Sequence, residues 1–199
     1  MIFATGNKHK LREMRELLPD CELEGLHAGV ELPPEEGPDF ASIALDKARA
    51  AHLATGAAAI ADDSGIEAEA LGGRPGIHSA RYGGPGASDE ENLEKLLREV
   101  AAAGGDRRAA YHCALALVEV DGAEHVFEAR CEGRLIEAPR GEGGFGYDPA
   151  FVPDATGPAD ERTLSELSQA EKNEISHRGA AARLLARHLG AGRRASAER

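Results

Sequence analysis

The run AAAIADDSG, Ala57–Gly65, decides how the chain is organised. Its first five residues read as a short buried strand, and Asp62, Asp63 and Ser64 are then delivered at that strand's end. Two adjacent carboxylates directly after an apolar strand are costly near a core unless something positive compensates them. Mg²⁺ would do so, because it prefers hard oxygen ligands and takes one or two carboxylates together with substrate phosphates. Asp-Ser-Gly equally suits a solvated turn, and the residues alone leave that alternative open.

Upstream, a strand over 1–5 meets Gly6-Asn7 and a helix over 8–18 that Pro19 ends. A second strand over 22–26, a Pro-rich acidic loop over 32–39 and a helix over 40–53 complete the first third. Downstream come Gly-rich loops at 72–76 and 83–86, then an amphipathic helix over 88–103. Two long β-rich segments, 109–120 and 124–137, join at Asp121-Gly122 as an antiparallel hairpin. The Gly-rich loop 140–148 precedes a short strand, and Ser176 starts a final helix that ends near Leu189. The last nine residues, 191–199, are small or charged and are expected to fray as a flexible tail. Helices alternating with strands, plus one antiparallel pair, make an α/β (mixed α+β) fold with a mixed sheet, in one domain over 1–190.

Composition narrows the function. The chain has 199 residues, enough for one domain of at most two lobes. Lys plus Arg is 23 and Asp plus Glu is 35, a net charge of −12, so the field of the whole protein repels polyphosphate and no nucleic-acid partner is expected. No stretch reaches the roughly 18 apolar residues of a membrane span, and Met1 runs into IFAT without a basic leader, so a cytoplasmic location is expected. Cys21, Cys113 and Cys131 lack CxxC spacing and read as inert thiols.

Four further segments carry candidate chemistry. TGNKHK (Thr5, Gly6, Asn7, Lys8, His9, Lys10) lies where a strand meets a helix N-terminus, so amides, helix dipole and lysine charge favour a phosphate there; Thr5 or Asn7 would also serve as a plain N-cap. Glu35 and Glu36 could ligate a metal or orient a water, or could simply be solvated. GEGGFGYDP, Gly141–Pro149, surrounds Phe145 and Tyr147 with four glycines in a chain with only eight aromatics. A base stacked on such a ring gains about 1–3 kcal/mol, although Phe145 would also suit a place in the core. EKNEISHRG, Glu171–Gly179, sets Lys172 before Ser176, a plausible N-cap, with His177 and Arg178 in the first turn of the last helix. Cations oppose the dipole there, and a bound anion or carbonyl would reconcile them. The chain has 18 Arg and 5 Lys, yet Lys8, Lys10, Lys47 and Lys172 all fall in or beside these segments. Lysine is kept where a compact ammonium is needed, against phosphate oxygens or a carboxylate.

Taken in order, TGNKHK, EEGPDF with LDKA, ADDSGIEAEALGGRPGIHSARYGG, GEGGFGYDPAFVP, and TLSEL followed by EKNEISHRG resemble the Ham1 family of non-canonical purine nucleoside triphosphate pyrophosphatases, from Ile2 to about Leu189. The resemblance implies an inosine triphosphatase-like fold, with a long twisted mixed sheet and two lobes flanking a nucleotide cleft. It also implies Mg²⁺-dependent hydrolysis of inosine, deoxyinosine and xanthosine triphosphates to monophosphate and pyrophosphate, by a homodimer. By position, Asp63 matches the catalytic proton acceptor and metal ligand, with Asp62 beside it. Lys47 matches the family's helix lysine, and Glu35 or Glu36 its metal-associated glutamate. Thr5 to Lys10 match the triphosphate loop; Ser64, Phe145, Gly146, Tyr147, Asp148, Lys172, His177 and Arg178 match substrate contacts. Ile43-Ala44 departs from the family's usual Asn-Ala pair. Donors from His177, Arg178 or backbone amides would favour a carbonyl at C6 of the base over the amino group of adenine. The nearest rival is a Maf-like pyrophosphatase for pyrimidine or modified nucleotides, which would share the fold and the metal but lack the SHRG and FGYD elements.

Overall fold

The protein is described here from a computed structural model covering residues 1–27 and 29–197, with side chains through residue 191. Six strands form one mixed sheet in the order β2-β1-β3-β4-β5-β6. They are β1 (Ile2–Phe3), β2 (Glu24–Gly25), β3 (Ala59–Ala68), β4 (Arg108–Val118), β5 (Glu124–Leu135) and β6 (Phe151–Pro153). The helices are α1 (Lys8–Leu17), α2 (Phe40–Thr55), α3 (Asp89–Ala102), α4 (Gln169–Ile175) and α5 (His177–Ala197). β1 lies parallel to β2 and β3, with Ile2 opposite Ala59 and Phe3 opposite Ile60, whereas β6 runs antiparallel to β5.

Local chemistry fixes the helix ends. Asn7 caps α1, its Oδ1 accepting from His9 N–H at 2.8 Å and Lys10 N–H at 3.2 Å. Asp39 caps α2 by accepting from Ser42 N–H, and Gly56 closes that helix in the left-handed region. Reciprocal capping boxes, Ser88 with Glu91 and Ser168 with Glu171, start α3 and α4.

Three sequence expectations change. β3 does not stop at the acids but runs on through Ile66 to Ala68, because Asp62 and Asp63 are met by cations and the apolar pattern resumes beyond them. Residues 169–175 form a separate helix ahead of the last one, with Ser176 as its extended C-cap. The last helix continues to Ala197 instead of ending near Leu189, through a segment dominated by Ala and Arg, both good helix formers. The remainder of the expected tail, residues 198–199, lies outside the described residues.

The chain divides into two compact units. One comprises Met1–Asp63, Cys113–Ala129 and the chain from Arg178 onward; the other comprises Ser64–His112 and Arg130–His177. The first has a core of Phe3, Met14, Leu18, Ile60, Leu115, Leu117 and Leu185. The second is built on Ile66, Leu96, Tyr111, Leu135, Phe151 and Leu164. Cys113 and Cys131 are buried free thiols, both pushed up to about 12 chiefly by burial, which keeps them protonated and unreactive. Among the described residues no helix is long and apolar enough to cross a membrane.

Candidate active site

In the first unit, β3 presents Asp62 and Asp63, both buried, and helices supply their counter-ions. Lys10 in the first turn of α1 reaches Asp62 Oδ2 at 3.0 Å. Lys47 shares the buried face of α2 with Ile43, Ala44, Ala48 and Ala51. Its Nζ donates to Asp63 Oδ1 at 2.9 Å and to Glu35 Oε1 at 3.0 Å. Arg178, at the start of α5, donates through Nε and Nη2 to Asp62 Oδ2 and through Nη1 to Glu13 Oε2 at 2.7 Å. Among the described residues these ion pairs join four carboxylates, Glu13, Glu35, Asp62 and Asp63, to three cations, Lys10, Lys47 and Arg178.

The two adjacent aspartates differ in kind. Burial alone would raise the Asp62 pKa, but Lys10, Arg178 and Lys47 overcome it and hold the carboxyl well below the ordinary range. At Asp63 burial prevails over Lys47 and Lys10, and its pKa is raised. Burial would lower Lys47, yet Asp63, Asp62 and Glu35 keep it raised and charged. Asp62 is thus a fixed anion, while Asp63 is a stronger base than an ordinary carboxylate. With four acids against three cations, and only carboxylate oxygens in the donor set, Asp63 and Glu35 fit a hard divalent cation such as Mg²⁺. Glu35 is half-buried and pairs with Lys47, which it shares with Asp63, whereas Glu36 is exposed.

The TGNKHK segment is a conventional helix start. Thr5 Oγ1 accepts from Asn7 N–H, and Asn7 engages the amides of His9 and Lys10, while Gly6, Asn7, Lys8 and His9 lie exposed. The N-cap reading holds for Asn7, and the turn bearing Lys8 is exposed. Glu13 escaped the sequence reading. Its one signal is its position three residues after Lys10, which places both on one face of α1.

In the second unit the loop before β6 is gathered around Asp148. This buried carboxylate accepts from Tyr111 Oη (3.1 Å), Lys172 Nζ (2.8 Å) and Phe145 N–H (3.0 Å). Lys172 Nζ lies 5.0 Å from the centre of the Phe145 ring, and that ring is half-exposed rather than in the core. Tyr147 takes the core position instead, its hydroxyl donating to the Ser79 carbonyl. Ser79 Oγ in turn accepts from Ile66 N–H, so Ser79 ties its loop to β3. The imidazole of His177 stacks on Tyr111, centroids 4.5 Å apart and 4° from parallel. Ser64, next to Asp63 on β3, is half-buried.

Tyr147 and Asp148 therefore organise the loop that presents Phe145 and Gly146. Arg178 pairs with Asp62 and Glu13, which supply the anions that its place at a helix N-terminus demands. Gly144 sits at φ +72°, where any side chain is strained, and a Cβ there would meet the Asp148 carboxylate. Gly144→Ala should cost about 1–3 kcal/mol, read as a lowered midpoint of thermal or urea unfolding; an unchanged midpoint would show that the loop repacks freely.

Comparison with known proteins places this arrangement. The model of the Ham1 family matches residues 1–188. The chain is 48% identical over 192 residues to a dITP/XTP pyrophosphatase of Symbiobacterium thermophilum, covering 95% of this chain and 92% of that protein. It is 44% identical to one of Thermus thermophilus, covering 93% and 89%. Among solved structures, a HAM1 protein from Coxiella burnetii superposes with a TM-score of 0.85 at 40% identity, covering 95% of this chain and 97% of that one. The Staphylococcus aureus Ham1 protein gives 0.84 at 36%, covering 96% and 98%. Matching sequence over nearly the whole length, and matching fold at high identity, make this chain a member of the Ham1 family.

Proposed function

We propose that the chain hydrolyses non-canonical purine nucleoside triphosphates, inosine, deoxyinosine and xanthosine triphosphates among them, to the monophosphate and pyrophosphate. The observation that carries this reading is the pairing of Asp63 and Glu35 on one buried lysine, beside an aspartate already neutralised by Lys10 and Arg178. Family membership and the relatives' names as dITP/XTP pyrophosphatases support it.

In this reading Asp63 and Glu35 would hold Mg²⁺, which would supply charge neutralisation for the phosphates. Asp63 accepts the proton of the attacking water, a role suited to a carboxylate raised by burial. Lys47 fixes the orientation of both carboxylates and places its ammonium beside the phosphates. Lys8, Lys10 and the α1 N-terminus hold the rest of the triphosphate. Asp62, clamped by Lys10 and Arg178, keeps Lys10 in place. By the family resemblance, Phe145 stacks on the base, and His177 with the amides of the Phe145 loop favours a C6 carbonyl over an amino group. A homodimer in the cytoplasm belongs to the same proposal, resting on the family resemblance.

Release of pyrophosphate from inosine, xanthosine, adenosine and thymidine triphosphates, with and without Mg²⁺, tests the proposal. Turnover should require Mg²⁺ and favour the inosine and xanthosine substrates over adenosine triphosphate by about 5- to 150-fold, the discrimination that one unmet polar group of about 1–3 kcal/mol gives. Preference for thymidine triphosphate would instead point to the Maf-like reading.

A further inference from the structure

Away from the acid cluster, the first unit carries a second group of ligating side chains. Glu119 follows β4 in the turn of the hairpin, His125 is the second residue of β5, and His188 lies on α5. Glu119 Oε1 stands 3.1 Å from Nε2 of His125 and 3.1 Å from Nε2 of His188. The three ligand atoms lie within 4.8 Å of one another, and the imidazole centroids are 4.2 Å apart. Three atoms bound to one transition-metal ion at about 2.0–2.2 Å are separated by roughly 3.0–3.5 Å, so the two spacings to Glu119 Oε1 already match.

We infer that Glu119, His125 and His188 form a binding site for a borderline divalent transition-metal ion, Zn²⁺ above all. The chemistry separates it from the Asp63–Glu35 pair: two imidazoles and one carboxylate are the donors Zn²⁺ takes, whereas Mg²⁺ selects oxygen. The side chains are each about one-third exposed, which leaves an entry path and a solvent-facing coordination position. Phe127 backs both rings, with centroids 6.4 Å from His125 and 5.5 Å from His188, and limits their freedom to turn away. Backbone geometry fixes the glutamate, because Glu119 N–H donates to the Ala123 carbonyl and the Glu119 carbonyl accepts from Gly122 N–H. Glu119 and His188 are 69 residues apart in sequence, so a bound ion would tie the hairpin to α5 and stabilise this unit.

The test is Zn²⁺ titration of the metal-stripped protein, calorimetrically and by thermal unfolding, with saturating Mg²⁺ and a thiol-free reductant present. Wild type should bind one Zn²⁺ per chain and unfold at a higher temperature with it. His125→Ala/His188→Ala should weaken binding at least tenfold and abolish the Zn²⁺-dependent rise, with unchanged circular dichroism. Glu119→Gln, which keeps the shape and a hydrogen-bond acceptor, should weaken binding to a smaller degree. Co²⁺ should give visible ligand-field absorption in wild type that the double variant lacks. No saturable Zn²⁺ binding in wild type would overturn the site and leave a carboxylate shared by two imidazoles. Equal binding by the double variant, or wild-type affinity in Glu119→Gln, would overturn it as well.

Discussion

Replacing Asp63 by asparagine should leave nucleotide binding within a few-fold of wild type and lower kcat by about 10²–10⁴, the range that a positioned general base contributes. The amide keeps an oxygen where Oδ1 meets Lys47, so the geometry of α2 against β3 survives. What is lost is basicity, which burial has raised at this position. The pH dependence has two opposed causes. Asp63 acts when ionised, so activity falls as pH drops through its pKa, which burial raises and a bound Mg²⁺ would lower. Lys47 opposes that rise, so Lys47→Ala should move the acid limb of kcat/KM to still higher pH, besides reducing its height. Pyrophosphate release measured across pH, with binding followed separately by calorimetry, checks both; a near-normal kcat in Asp63→Asn would remove this residue from the chemistry.

Arg178→Met should be the most destabilising change in the first unit. It deletes the cation shared by Asp62 and Glu13 while filling much of the same volume, and leaves two buried carboxylates without their shared guanidinium. Removing one partner of a buried ion pair costs about 3–5 kcal/mol, because the surviving charge is uncompensated. The pH response follows from Asp62. Its folded pKa lies below the unfolded value, so it contributes stability that is present above the unfolded pKa, 3.8, and lost as pH falls through the folded one. Without Arg178 the folded pKa rises, that contribution shrinks, and the gap between wild type and variant should narrow below about pH 4. Urea unfolding at pH 7 and pH 3 reads the effect. A variant as stable as wild type at pH 7 would mean that the clamp contributes nothing, and altered base preference at full stability would return Arg178 to the base.

Much of this could be read along the chain. Caps at Asn7, Asp39 and Ser88, the apolar run before Asp62 and the Asp121-Gly122 turn carry signals within a few residues of where they act, so the elements fell close to their expected places. The scarcity of lysine was informative too: Lys10, Lys47 and Lys172 each end on a buried carboxylate. Two charges in a row look like the end of a strand; only their distant partners let β3 continue.

The amino-acid sequence therefore determined the element types, the membership of the Ham1 family and the identity of the residues able to do chemistry, since period, capping and motif are local properties. The partnering of charges was decided by tertiary structure alone. Arg178 meets Asp62 across 116 residues, and Asp148 is met by both Lys172 and Tyr111. A buried ion is stabilised only by a counter-ion within hydrogen-bonding distance, and which counter-ion arrives there depends on how helices pack over the strands, for which no local pattern exists. The same holds for Glu119, His125 and His188, three ordinary polar residues until the hairpin and the last helix set them side by side.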